Sequence, residues 1–296
     1  MGLPRIAPYP MPDPAALPEA AIDWTIDPAR AALLVHDMQT HFLAAFDVAR
    51  EPIPELVANV RRLIDACHAA GVPVLYSAQP AGQTPDQRGL LQPVWGDGIP
   101  GASGGDRILP AIAPGADDEV VTKWRYSALV RTDLRERLRA KGRDQLVVCG
   151  IYTHIGIAMT AAHAFMEDLE SVIAADAVAD FTAEEQVTAL TWAGSCCAGV
   201  AATATLVRQI RGTAGTPTAV VDRERMRADL LGILADPPAE LGDHDDLLDL
   251  GLDSLQVMAL VTRWREAGLT LSTEDLIEAE PTLAGWWEAA TAVAAH

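Results

Sequence analysis

Four short apolar runs limit how the first two thirds of this chain can fold. They are Ala31–Met38 (AALLVHDM), Val72–Ala78 (VPVLYSA), Gln145–Gly150 (QLVVCG) and Ser171–Ala177 (SVIAADA). Their near-continuous apolar character suits strands buried on both faces rather than strands with one wet side. Helical spacing fills the gaps between them. Ile53, Leu56, Val57, Val60, Ile64 and Cys67 share one face of a helix over Ile53–Ala70, and Gly71 stops it. Glu119–Lys123 adds a strand and Thr132–Lys141 a helix ended by Gly142. Gly156–Asp168 and Ala183–Ala193 read as helices, and Val200–Thr205 as a last strand. Strand–helix alternation of this kind predicts an α/β fold, a parallel sheet with helices on both faces.

The alternation stops at Arg211–Val220 (RGTAGTPTAV), a Gly/Thr/Ala-rich stretch in which Pro217 breaks any helix. Beyond it the chain reads as wholly helical. Helices are expected over Arg223–Leu234, Ser254–Ala267, Thr273–Ala279 and after Pro281. Charge changes at the same place. Residues 222–296 hold 16 acids and 5 bases, while residues 1–221 hold 25 acids and 17 bases. We therefore expect a domain over 1–210, a linker over 211–221 and a four-helix domain over 222–296. A net charge of −19 excludes a phosphate backbone as a natural partner. The N-terminus has no basic segment leading into an apolar one, and no run reaches the roughly 18 apolar residues of a membrane span. Cys67, Cys149, Cys196 and Cys197 show neither CxxC spacing nor a His/Cys cluster, so idle thiols in a reducing cytoplasm and no metal site are expected.

One string in the acidic segment carries chemistry: DLLDLGLDSLQVMAL, Asp246 to Leu260. Gly251 permits a tight turn, and Asp253 is placed to cap the helix that Ser254 opens. A helix N-terminus favours an anionic phosphodiester at Ser254. The string resembles the acyl, peptidyl and aryl carrier proteins. That resemblance implies 4′-phosphopantetheine attached to Ser254 by a phosphopantetheinyl transferase, with an acyl group held as a thioester. Ser254 is then an anchor and needs no catalytic base. The run Asp236–Asp253, with seven acids and no base, suits basic partner surfaces.

In the first domain, polar residues recur at strand ends, where an open α/β sheet places its site. They are Asp37 in LLVHDMQTHF, Gln79 in YSAQP with Arg88 after it, Lys123 in VTKWRYSAL, and the turn GIYTHIG at Gly150–Gly156. In this order, over residues 1–210, they resemble the isochorismatase-like hydrolases. Many members of that superfamily use Asp, Lys and a Cys nucleophile. Here the nucleophile's position falls on Gly156, which removes the thiolate a covalent route needs. The isochorismatases share this Gly, and bifunctional isochorismatase/aryl carrier proteins of catechol siderophore pathways share the two-domain plan.

The resemblance implies hydrolysis of isochorismate, a vinyl ether with two carboxylates, to pyruvate and 2,3-dihydro-2,3-dihydroxybenzoate. Protonation of the methylene carbon creates an oxocarbenium-like ion for water to attack, so an acid and anion clamps are needed. Asp37 is the candidate acid. Burial and the dianionic substrate raise its pKa and an adjacent Lys123 lowers it; Lys123 is alternatively a substrate ligand. Arg88 suits bidentate carboxylate capture. Gln79 and Tyr152 offer hydrogen bonds to ring hydroxyls and carboxylates, and the Gly156 N–H an anion contact at a helix start. By resemblance Phe42 and Trp95 wall the pocket. His36 and His154 recur in the family motifs, as turn supports or substrate contacts. His163, Ile157 and Ala158 depart from the family pattern, which bears on helix packing or the pocket wall.

The implied partners are isochorismate, an aryl-adenylating ligase, the transferase and a condensation domain of a nonribosomal peptide synthetase. The family also implies a homo-oligomer through the hydrolase domain. The implied cargo is an aryl acid, 2,3-dihydroxybenzoate. Competing readings are hydrolysis of 2-amino-2-deoxyisochorismate, against which the fused carrier argues, and a non-catalytic scaffold, against which Asp37, Gln79, Arg88 and Lys123 argue.

Overall fold

The computed structural model describes residues 3–18, 20–212, 223–234, 238, 241–252, 256–257, 260–261, 264, 275–276 and 279–293. The chain divides into two compact units, Met1–Gly212 and Thr213–His296.

The first unit is built on six parallel strands: β1 Ala31–His36, β2 Val74–Ala78, β3 Glu119–Thr122, β4 Gln145–Ile151, β5 Glu170–Ala179 and β6 Gly199–Ala201. Their spatial order is β3-β2-β1-β4-β5-β6. The first three strands step one way from β1 and the last three step the other way, so the order reverses between β1 and β4. A crevice opens there at the C-terminal strand ends. The double burial inferred from the apolar runs is observed: every residue of β1 and β4 is buried. Alternate residues feed opposite faces. Leu33 and Val35 join a core with the helix Ile53–Ala70. Ala32 and Leu34 join a second core with the helices Leu134–Ala140, Ala158–Met166 and Ala183–Cys196. Gly71, at φ 67°, ends the Ile53–Ala70 helix in the left-handed conformation that glycine adopts without strain.

The last strand is shorter than its sequence suggests. Val200–Thr205 was expected to be extended, but β6 ends at Ala201 and Thr203–Ile210 is helical. The cause is long-range. The Asp176 carboxylate on β5 accepts the Thr203 N–H at 2.7 Å and caps the new helix. Leu206, Val207 and Ile210 then fall on one face and enter the core beside the Ile53–Ala70 helix. The predicted helix at Gly156–Asp168 begins differently. Thr153–Ile157 form a wide turn with π-type hydrogen bonding, and the regular helix covers Ala158–Met166.

In the second unit, the described residues include helices Arg223–Ile233 and Leu283–Val293. Gln256, Val257, Leu260, Val261, Trp264, Asp275 and Leu276 are also helical. Met226, Leu230, Leu247, Leu252, Leu260 and Leu283 pack around Trp264 and Trp286, whose rings meet edge to face at 6.2 Å. The Trp264 indole donates to the Asp229 carboxylate at 3.0 Å.

Candidate active site

Asp37 stands just past β1 with φ 49°, a conformation rarely adopted by residues other than glycine. Its Oδ2 accepts the Lys123 Nζ at 2.7 Å and the Gln79 Nε2 at 3.2 Å. Its Oδ1 accepts the Ser77 hydroxyl at 2.6 Å. Three neighbouring strand ends thus meet at one carboxylate: β1 bears it, β2 reaches it through Ser77 and Gln79, and β3 through Lys123. Both charges are buried, with Asp37 5 % and Lys123 2 % exposed. Burial opposes the charge on Asp37. The Lys123 ammonium outweighs it, helped by the Ser77 hydroxyl, and holds the carboxyl below its ordinary range. Of the opposing influences that the sequence left open, the lysine prevails in the free protein.

His36, the residue before Asp37, is fully buried and its Nδ1 lies 2.9 Å from the Ile151 carbonyl oxygen. Burial pushes its imidazole down to about 4, against the pull of the Asp37 carboxylate, so the ring is neutral near pH 7. His154 lies elsewhere. Its Nδ1 is 2.6 Å from the buried Asp180 carboxylate, whose hydrogen bond raises the imidazole's pKa. It supports the turn rather than the pocket.

His36 and the groups around Asp37 border a cavity of about 680 Å³. Asp37, Gln79, Arg88, Lys123, Tyr152, Gly156, Phe42 and Trp95 all line it. Arg88 ends the short helix Pro85–Arg88, which a capping box between Thr84 and Gln87 holds in place. It is 3 % exposed, and its Nε donates to the Gly96 carbonyl at 3.0 Å and its Nη1 to Gln79 Oε1 at 3.4 Å. Both partners are neutral. A buried guanidinium without a carboxylate in contact, among the described residues, is a natural anion receptor.

Two expectations change in detail. The Gly156 N–H donates to the Tyr152 carbonyl at 3.0 Å, because Gly156 sits inside the wide turn rather than at a helix opening. It is therefore spent as an anion contact. The Tyr152 hydroxyl donates to the Phe42 carbonyl at 2.8 Å, which leaves its oxygen only as an acceptor. Tyr152 also packs against Phe46 and Phe181, so its ring is chiefly a wall. His163 sits away from the cavity, 3.1 Å from the Ser127 hydroxyl, while Ile157 and Ala158 are buried. None of the three lines the cavity.

Sequence reasoning missed Ser77, Tyr126 and His41. Ser77 carries a readable signal, a small aliphatic hydroxyl in the otherwise bulky run VLYS, and the structure pairs it in register with His36. Tyr126 accepts the Trp95 indole N–H at 2.7 Å and, like His41, lines the cavity; nothing local marks either one. Among the described residues, no group of three His, Cys, Asp or Glu side chains could hold a metal ion.

In the second unit, Asp246 accepts the N–H groups of Leu248 and Asp249, at 2.8 and 3.2 Å. Gly251 follows at φ 87°, which admits the tight turn, and the buried Leu252 anchors its end. Helix is present again by Gln256, whose Nε2 donates to the Ile233 carbonyl at 2.8 Å. Ser254 and Asp253 lie outside the described residues. The described residues thus reach the buried Leu252 at the end of an acidic turn and resume in helix at Gln256.

Known proteins agree with this geometry. Residues 31–205 match the Isochorismatase domain family, and residues 224–289 match the phosphopantetheine attachment site family. The isochorismatase of Bacillus subtilis (strain 168) is 42 % identical over 295 residues, spanning 97 % of this chain and 94 % of that one. Enterobactin synthase component B of Escherichia coli (strain K12) is 34 % identical over 288 residues, spanning 97 % and 98 %. A solved cysteine hydrolase from Pseudomonas syringae pv. phaseolicola 1448A superposes with a TM-score of 0.59 at 25 % identity, covering 67 % of this chain and 99 % of that one. With one family model over residues 31–205, a second over residues 224–289, and relatives along nearly the whole chain, the chain belongs to the isochorismatase family.

Proposed function

We propose that the chain hydrolyses isochorismate to 2,3-dihydro-2,3-dihydroxybenzoate and pyruvate, and carries an aryl acid as a phosphopantetheine thioester for siderophore assembly. The observation that carries the first half is the buried Asp37–Lys123 pair at 2.7 Å beside a glycine at position 156. That pair supplies charge and a proton site without a covalent nucleophile. Relatives along nearly the whole chain, named isochorismatase and enterobactin synthase component B, support both halves.

Arg88 receives one substrate carboxylate. The dianion adds negative charge next to Asp37 and raises its pKa, so the carboxyl takes up a proton as substrate binds. Asp37 gives that proton to the methylene carbon, and the ether carbon becomes an oxocarbenium centre. Water adds there and its surplus proton returns to Asp37. The hemiketal then collapses: its hydroxyl proton passes to the ether oxygen borne by the ring carbon, the bond between that oxygen and the hemiketal carbon breaks, and pyruvate and the diol leave. Lys123 stabilises the Asp37 carboxylate before substrate binds and again once the proton has left, and Gln79 orients it.

Ser254 is the attachment residue of the arm, whose thiol supplies thioester chemistry. Residues 1–210, 211–221 and 222–296 serve as hydrolase, linker and carrier. The cargo is 2,3-dihydroxybenzoate, loaded by an aryl-adenylating ligase and passed to a condensation domain. The protein works in the cytoplasm, as an oligomer through the hydrolase domain. Among the described residues, no helix is long and apolar enough to cross a membrane.

The test uses the full chain. Pyruvate release from isochorismate is followed by a coupled dehydrogenase assay, and intact mass is measured after incubation with coenzyme A and a transferase. Asp37→Ala abolishes pyruvate release and leaves the mass gain; Ser254→Ala does the reverse. Pyruvate release that survives Asp37→Ala sinks the acid assignment.

A further inference from the structure

Glycine at position 156 has a structural cause separate from the absence of a nucleophile. His36 ends β1 directly opposite Gly150 of β4. A Cβ at Gly150 would stand on the His36 carbonyl oxygen and amide nitrogen, and Gly150 has φ 112° besides. Those are main-chain atoms of a paired strand. A Cβ at Gly156 would instead stand within the His36 side chain, meeting ring atoms Cε1, Nε2 and Nδ1. Gly156 lies outside the positive-φ region, and the three atoms nearest such a Cβ all belong to the ring, so the ring is the foremost obstacle to a side chain there. The ring has little freedom to yield. It is fully buried and tied to the Ile151 carbonyl.

We propose that His36 is a positioning residue that fills the space above position 156, keeps it free of a side chain, and so commits this pocket to chemistry without a covalent nucleophile. One residue thus dictates two glycines by different means: Gly150 through its backbone and Gly156 through its ring. The neutral ring acts by shape. The proposal rests on the cavity wall and is independent of which vinyl ether is the substrate. Its readouts below are stability and thiol accessibility, so loss of isochorismate hydrolysis would leave it standing.

The contrast between the two glycines provides the test. Gly156→Ala and Gly150→Ala are made in the full chain, each alone and together with His36→Ala. Unfolding is followed by calorimetry, with the transition of the helical domain as the internal reference. Gly156→Ala is expected to lower the hydrolase transition by about 4 °C or more in the native background and by under about 1 °C beside His36→Ala. Gly150→Ala is expected to cost the same in both backgrounds. An equal cost of Gly156→Ala in both, or no cost in the native one, overturns the proposal. His36→Val replaces His36→Ala if the latter does not fold, and Gly156→Ala alone still decides against the proposal if it is silent. A second readout is alkylation by iodoacetamide, in which the thiol sulfur bonds the carboxamidomethyl carbon while iodide and a proton leave. In His36→Ala/Gly156→Cys the introduced thiol should be alkylated at least about tenfold faster than in Gly156→Cys, as read by peptide mass. Equal rates in two folded variants would show that the ring never blocked the position.

Discussion

Replacing Lys123 by methionine tests the electrostatic core of the site. Methionine keeps most of the length and removes the charge. Lys123 and Asp37 are both almost fully buried and 2.7 Å apart, so the change strands a carboxylate in a low-dielectric setting. Removing one partner of such a pair costs about 3–5 kcal/mol. Ser77 and Gln79 still donate to Asp37, which places the expectation near the lower end, about 3 kcal/mol at pH 7. For a unit of this size that is roughly 6–12 °C. The sign of the pH dependence also inverts. In the native protein the Asp37 carboxyl is held low, so its contribution to stability is present above the unfolded value near ~4 and is lost as pH falls through the folded value. Without Lys123, burial dominates and the carboxyl rises. The folded state then binds the proton more tightly, and stability falls as pH increases from about 4 towards the raised value. Denaturant melts of the hydrolase unit from pH 4.5 to 8 measure the difference between the two proteins. The deficit of Lys123→Met should grow with pH. A deficit that is constant across this range, or below about 1 kcal/mol, would refute the account of the pair.

Three further outcomes follow from the same geometry. Arg88→Lys keeps the charge but loses the planar fork, so KM for isochorismate should rise about 10- to 100-fold with a smaller change in kcat, as measured by steady-state pyruvate release. Ser77→Ala removes the 2.6 Å donor that helps keep Asp37 ionised, so the Asp37 carboxyl should titrate at higher pH, visible in the pH profile of kcat/KM. In the helical domain, Trp264→Phe removes the indole N–H that reaches Asp229 at 3.0 Å and should destabilise that domain by about 1–3 kcal/mol, leaving isochorismate hydrolysis unchanged.

Some of this site was legible because its chemistry is local. Asp37, Gln79 and Lys123 each follow a segment readable as a strand, and strand ends on one side of a parallel sheet converge wherever the helices between them run. Phe42, Trp95, Arg88 and Tyr152 reach the same cavity. Tyr126 and His41 lie only three and four residues past Lys123 and Asp37, but which way their side chains turn there is set by tertiary packing and not by residue type. The direction of the Asp37 titration was likewise hidden. It turns on a distance of 2.7 Å between residues 86 positions apart, and sequence order carries no such distance. The end of β6 went astray for a related reason. The residues after Val200 read as a strand until Asp176, on another strand, caps them into a helix.

By itself, then, the sequence determined the strand–helix alternation, the change to an acidic helical segment, and the absence of a side chain at position 156. Apolar periodicity and residue identity are properties of the chain. Tertiary structure alone decided that Lys123 holds the Asp37 carboxyl below its ordinary range, that the Gly156 amide is spent inside a turn, and that the His36 ring occupies the room a side chain at position 156 would need. Each of these depends on distances between segments far apart in the chain. Electrostatics in a dry interior and hard-core contact are both set by those distances.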